Sequence, residues 1–272
     1  MNYLKFQFDV DNIEQQERLV ALLANLGFEG FEEGENSLDA FTPEDKFNQD
    51  EFSSVLDLFD IVSYIQTTIE NVNWNQIWEK EFKPVVVEDF VGIRAWFHQR
   101  LKNVAHEIII TPKMSFGTGH HATTCLMIKQ MESISFKGKF VLDFGTGTGV
   151  LAILASKLGA EKIVAIDYDE WSITNAIENI EQNTCLNIIV EQMDTVPVND
   201  KFDIILANIN LNVILNNLSS IKEASAEGAT ILFSGILKEN ELMLLDAIRE
   251  VGLGYLTTIQ KGDWIVVMVK LV

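Results

Sequence analysis

The stretch VLDFGTGTGVLA, Val141–Ala152, decides the fold. Val141–Phe144 is an apolar run of strand length, Gly145, Gly147 and Gly149 follow at alternate positions, and Val150 opens an apolar helix that runs to Leu158. A strand that turns through glycines into a helix is the opening unit of a doubly wound α/β domain, where the loop after the first strand meets the ligand. Glycine lets a backbone approach a ligand closely. On the glycines alone, a ligand loop and a plain tight turn are equally good readings.

The sequence downstream keeps this rhythm. KIVAIDY is the next strand, and Ile173, Ile177 and Ile180 mark one side of a helix over Glu170–Gln182. NIIVEQ, FDIILANI and ATILFSGI read as further strands, with a helix carrying Leu211, Ile214, Leu215 and Leu218 between the last two and another over Glu239–Val251. Near-continuous apolar strands covered by helices indicate a mostly parallel, doubly wound Rossmann-like sheet. The chain closes with LGYLTTIQ and DWIVVMVKLV, joined by the short turn at Lys261–Gly262, so these two strands run antiparallel to each other.

Upstream, residues 1–70 form a separate small α+β domain. Leu4, Phe6, Phe8 and Val10 alternate as in a half-buried strand, and Leu19, Leu22, Leu23 and Leu26 recur at helix spacing. A glycine-punctuated strand, a strand near Ser37–Thr42, a helix near Gln49–Phe59 and the strand VSYIQTTIE follow. The order β-α-β-β-α-β predicts a ferredoxin-like split βαβ unit. Residues 71–112 read as a bridge to the domain at 113–272. It carries a short helix with Trp74, Trp78 and Phe82 in one stripe ended by Pro84, then a hairpin over Val85–Phe97 and a strand at Glu107–Thr111.

Net charge is −20, and residues 1–72 hold 16 acidic against 3 basic side chains. So acidic a surface speaks against a nucleic-acid backbone as the main partner. It suits either solubility or docking of a basic protein. No apolar run is long enough to span a bilayer, and the start MNYLKFQFDV has neither a basic n-region nor an apolar signal core, so a cytoplasmic site is expected. Cys125 and Cys185 have no metal or redox spacing and are expected as reduced thiols.

The ligand of the glycine loop can be narrowed. A dinucleotide fingerprint would place its third glycine where Val150 stands, and no Lys-Ser/Thr pair closes the loop as in a P-loop. Asp167, 22 residues after Gly145 at the end of the second strand, is placed to accept from both ribose hydroxyls. Asp169 reads as a helix cap. A ribose acid without a pyrophosphate cradle suits S-adenosylmethionine, which carries no phosphate.

These residues carry a resemblance. The run D-x-G-x-G-x-G, the acid after strand two and ANI after strand four look like class I S-adenosylmethionine methyltransferases. Within that class FGTGHHATT, VLDFGTGTGVLAILASKLGA, VAIDYD, ANI, SGI and NWNQIWEKEF resemble the PrmA-type family that methylates amino groups of the large-subunit ribosomal protein L11. The resemblance implies a Rossmann-like methyltransferase sheet with an antiparallel last strand, an N-terminal substrate-recognition domain, and cofactor contacts at Thr124, Gly145, Asp167 and Asn208. It also places Asn208 beside the transferred methyl, where its side-chain oxygen could aim a substrate amine. For Asp194 an adenine contact and a surface turn are equally good readings. Ala122 stands where proline is common in that loop. A methyltransferase acting on another protein, RNA or a small molecule is the competing reading.

The paired histidines His120 and His121 first suggest a metal site. With only His98 and His106 elsewhere and no ligand spacing, no metal is expected. The expected role of His121 is to cap the helix over Thr123–Met131.

Overall fold

The computed structural model describes residues 2–10, 13–34, 37–58, 64–69, 82–113 and 117–271. The chain divides into two compact units, Met1–Ile77 and Trp78–Val272. The tryptophan-bearing helix expected before Pro84 lies outside the described residues, as do Ser115 and Phe116 of the histidine loop.

In the smaller unit β1 (Tyr3–Asp9), α1 (Ile13–Asn25), β2 (Gly30–Glu33), β3 (Ser37–Pro43), α2 (Gln49–Leu58) and β4 (Ile65–Ile69) follow in the expected order. The strands form one antiparallel sheet in the order β2-β3-β1-β4, which is the split βαβ arrangement. The alternation on β1 puts Leu4, Phe6 and Phe8 into the core, and Val10 just beyond the strand is buried with them. Phe6 packs 4.6 Å from Phe52 on α2, with Phe28, Phe47 and Tyr64 around the pair. Such aromatic pairs add about 0.5–1.5 kcal/mol beyond burial.

The larger unit opens with β5 (Val85–Val87), β6 (Val91–Ala95) and β7 (His106–Ile110). β5 and β6 are the expected hairpin, whereas β6 and β7 are parallel, although Trp96–Ala105 between them contains no helix. Parallel neighbours ordinarily need a longer crossover. Here the loop itself makes the crossing, and Arg94, 6% exposed, pins it by forking onto Glu107 (2.9 and 3.1 Å) and donating to the carbonyls of Ala95 and His98, while Glu107 accepts from the Leu101 amide. Those contacts hold the Glu107 carboxyl below its ordinary pKa, with the Arg94 hydrogen bond as the main cause. The apolar side chains of this small sheet belong to the core of the larger unit, so the second half of the expected bridge packs with it.

The remainder is α3 (Ala122–Glu132), β8 (Phe140–Phe144), α4 (Val150–Lys157), β9 (Lys162–Asp167), α5 (Glu170–Gln182), β10 (Ile188–Gln192), β11 (Phe202–Asn208), α6 (Leu211–Ala224), β12 (Ser225–Leu237), α7 (Glu241–Glu250), β13 (Leu253–Lys261) and β14 (Trp264–Leu271). The sheet order is β10-β9-β8-β11-β12-β14-β13; the first five strands are parallel, and β14 runs antiparallel between β12 and β13. Helices α3, α4 and α5 cover one face with the small sheet, and α6 and α7 cover the other. Strand order reverses between β8 and β11, the switch point where doubly wound sheets open a crevice. No described helix is long and apolar enough to cross a membrane.

Candidate active site

A cleft of about 620 Å³ opens at the carboxyl ends of β8, β9 and β11. Three of the four residues singled out for the cofactor line it: Gly145, Asp167 and Asn208. The glycine loop reaches the cleft by folding over β9, since the amides of Gly145 and Thr146 both donate to the Ile166 carbonyl (2.8 and 2.9 Å). Gly145 has φ +76°, and a Cβ there would stand 2.2 Å from Ile209 Cγ2. Only a residue without a side chain fits both conditions.

Asp167 is oriented by main chain on both oxygens. Oδ2 accepts from the Gly147 amide at 2.9 Å and Oδ1 from the Asp169 amide at 3.1 Å. Each carboxylate oxygen keeps an acceptor site for a ligand. Asp169 is the N-cap of α5, accepting from the amide and hydroxyl of Ser172 at 3.0 Å, as expected for a residue before a helix. Asp194 also lines the cleft.

Asn208 is 8% exposed, and its Oδ1 is buried without a hydrogen-bond partner among the described residues. Its Nδ2 makes a long 3.5 Å contact to Thr124 Oγ1. Thr124 itself is 1% exposed and does not line the main cleft. It borders a much smaller adjoining cavity together with Gly117, Gly145, Thr148 and Asn208. The structure therefore sets Thr124 behind Asn208.

The two histidines diverge. His120 stands edge-on to Phe82 at 4.8 Å, outside the cleft. His121 lines the cleft, lies 4.7 Å from the Trp264 ring, and caps α3 by accepting from the Thr123 amide. Ala122 is the first helical residue after that cap, a position where proline is well tolerated, which explains how either residue suits the loop. No cluster of His, Cys, Asp or Glu with metal-holding arrangement occurs among the described residues.

Three contributors had no role assigned from the sequence, although Asp143 and Gly235 stand in the runs D-x-G-x-G-x-G and SGI. Asp143, at the end of β8, is 1% exposed; its Oδ2 accepts from Thr146 Oγ1 (2.6 Å) and the Ala152 amide (3.1 Å), while Oδ1 has no described partner. Burial pushes its pKa up to about 7, the two hydrogen bonds oppose the rise, and the charge of Asp167 adds to it. Trp264 enters from the terminal hairpin and carries no local sequence signal. Gly235 sits where the β12–β14 register shifts, with φ +83°, and a Cβ there would stand 2.3 Å from the Ile209 carbonyl oxygen. It sets how closely β12 approaches the chain leaving Asn208. Gly235→Ala combines a left-handed backbone with a main-chain clash, so a loss of about 2–4 kcal/mol in urea-unfolding stability of the larger unit is expected. An unchanged urea midpoint would show that the strand end yields freely.

Among the described residues the cleft lining includes Asp167, Asp169 and Asp194 and no lysine or arginine. Such a pocket repels phosphate and favours a cationic, phosphate-free ligand.

The comparisons with known proteins agree with this geometry. A family model described as "Ribosomal protein L11 methyltransferase (PrmA)" matches residues 8–271. Proteins named ribosomal protein L11 methyltransferase are similar along nearly the whole chain. The Bacteroides fragilis protein is 36% identical over 97% of this chain and 98% of its own, and the Porphyromonas gingivalis protein 36% identical over 97% and 96%. The solved structure of ribosomal protein L11 methylase from Lactobacillus delbrueckii subsp. bulgaricus superimposes with a TM-score of 0.65 at 29% identity, covering 69% of this chain and 98% of that one. With a family match spanning both units and the cleft at the switch point, the chain belongs to the ribosomal protein L11 methyltransferase (PrmA) family.

Proposed function

We propose that the chain methylates amino groups of ribosomal protein L11, lysine side chains or the α-amine, using S-adenosylmethionine held by Gly145, Asp167 and Asn208, with Thr124 supporting that contact from behind Asn208. The observation that carries this reading is the charge of the cleft, three aspartates with no lysine or arginine among the described residues that line it. A dinucleotide would bring phosphates into that field, whereas S-adenosylmethionine brings a sulfonium and an ammonium. Asp167 would accept the ribose hydroxyls on its remaining lone pairs, and Gly145 keeps the floor open for close backbone approach. When bound, the cofactor supplies an electrophilic methyl group.

The chain's own residues then have two tasks, orientation and exclusion of water. A lysine amine has an unperturbed pKa of about 10.4 and must arrive neutral to attack. Asn208 Oδ1, buried and unpaired, is suited to accept an N–H of that amine and aim its lone pair. Thr124 Oγ1 meets the other end of the Asn208 amide and leaves the oxygen for the substrate. The cleft aspartates attract an ammonium but also hold it protonated, so the amine gives its proton to solvent water as it enters, where desolvation disfavours its charged form.

The N-terminal unit is assigned to docking of the basic protein substrate, because most of the acidic excess lies within residues 1–72. A cytoplasmic site of action follows from that substrate. The test is incubation with labelled S-adenosylmethionine, ribosomal proteins and ribosomal RNA. Label in L11 at amine positions is expected. Deleting residues 1–70 is expected to cut kcat/KM on L11 by at least tenfold, about 1.4 kcal/mol, with cofactor affinity preserved. Label confined to another protein, RNA or a small molecule would replace L11 as the substrate.

A further inference from the structure

The loop Gly117–His121 reaches the cleft only through its last residue, yet it is fastened from the opposite side by the glycine loop. Thr148, fully buried between Gly147 and Gly149, donates its hydroxyl to the Gly117 carbonyl at 2.9 Å. The fit is close, since a Cβ on Gly117 would stand 2.9 Å from that same hydroxyl oxygen. Thr148 is itself anchored. Its carbonyl accepts from Asn179 Nδ2 at 2.8 Å, and Asn179 Oδ1 accepts from the Thr111 amide at 2.8 Å. Asn175 adds a contact to the Thr111 carbonyl at 3.3 Å, and both asparagines are fully buried on α5. One residue of the ligand loop therefore holds the histidine loop while α5 holds that residue.

The consequence follows from what the histidine loop carries. It ends at His121, which caps α3, and Thr124 lies in the first turn of that helix behind Asn208. Thr148 and Gly117 line the same small cavity as Thr124, Gly145 and Asn208. Loosening the Gly117 end would free the segment that sets the distance between the glycine loop and α3. Other fastenings, Cys125 Sγ donating to the Gly119 carbonyl at 3.2 Å and the ring contacts of His120 with Phe82 and His121 with Trp264, leave the glycine loop out.

We infer that Thr148 is a positioning residue whose hydroxyl clamps the loop Gly117–His121 onto the glycine loop, and that this clamp raises the affinity for S-adenosylmethionine. The affinity half rests on the methyltransferase reading; the clamp itself does not. Thr148→Val keeps the shape and removes the donor, leaving the Gly117 carbonyl without this partner. Thr148→Ser keeps the donor and trims a methyl.

The experiment pairs hydrogen exchange of the cofactor-free full chain with cofactor titration of the same proteins. For Thr148→Val, exchange at the amides of 118–121 is expected to rise about tenfold while α4 amides stay as in the wild type. The Kd for S-adenosylmethionine is expected to rise about tenfold, with kcat at saturating cofactor changed less than about threefold, and Thr148→Ser is expected to restore both readouts. Unchanged loop exchange in Thr148→Val overturns the clamp. Serine failing to rescue also overturns it, since packing rather than the hydroxyl would then matter. If the wild-type protein binds no S-adenosylmethionine, the methyltransferase reading falls instead, and the exchange data still decide the clamp.

Discussion

Asn208→Ala is expected to lower kcat on the amine substrate by about a hundredfold while raising the Kd of S-adenosylmethionine by at most about tenfold. The asymmetry follows from the two ends of the amide. Nδ2 makes only a long contact to Thr124, so its loss disturbs the neighbouring wall modestly. Oδ1 is buried and unpaired, and an acceptor kept in that condition costs free energy unless something arrives to use it. Asn208→Asp sharpens the test. It preserves shape and acceptor but adds a charge to a cleft already lined by Asp167, Asp169 and Asp194. A charged acceptor holds the incoming amine as ammonium, so the kcat–pH profile of this variant is expected to shift to higher pH, with partial recovery of rate there. Normal kcat in the alanine variant would remove Asn208 from the reaction.

The contrast between Asn208 and Gly235 shows what could be read from sequence. Asn208 ends an apolar strand, and a polar residue at that point of a doubly wound sheet is a local signal. Gly145 and Asp167 were legible in the same way, by spacing along consecutive elements. Gly235 owes its role to Ile209, 26 residues earlier and just past the end of β11, so the SGI run marks the position without showing what the glycine meets. Trp264 is hidden for the same reason. It reaches the cleft because β14 threads between β12 and β13, a placement that the short turn at Gly262 permits but does not specify. The parallel pairing of β6 and β7 was likewise unreadable, because the crossing is a helix-free loop pinned by the forked Arg94–Glu107 ion pair. Thr124 was found through a whole motif, and its place behind Asn208 became visible only with the side chains in position.

Asp143→Asn is expected to remove a pH-dependent destabilisation of the larger unit worth roughly 4 kcal/mol above pH 7. The carboxyl titrates at about 7 in the folded protein against an ordinary 3.8, so between those values the native state keeps a proton that the unfolded chain has released. Stability contributed by this group is therefore greatest in acid, falls as pH rises from about 4 to about 7, and levels off above that. Asparagine cannot titrate, yet its side-chain oxygen can still accept from the Thr146 hydroxyl and the Ala152 amide. His106 acts in the opposite sense, since burial lowers its pKa and its contribution is lost as pH falls. Because both proteins retain His106, the difference between their urea-unfolding curves from pH 5 to pH 8 isolates Asp143. The variant is expected to gain about 2–3 kcal/mol on the wild type across that range, and a flat difference would place the proton elsewhere. The Asp143 Oδ2 contacts stitch β8 to Thr146 and to the first turn of α4, and because asparagine can keep both, the variant is expected to hold the glycine loop in shape while removing only the titrating charge.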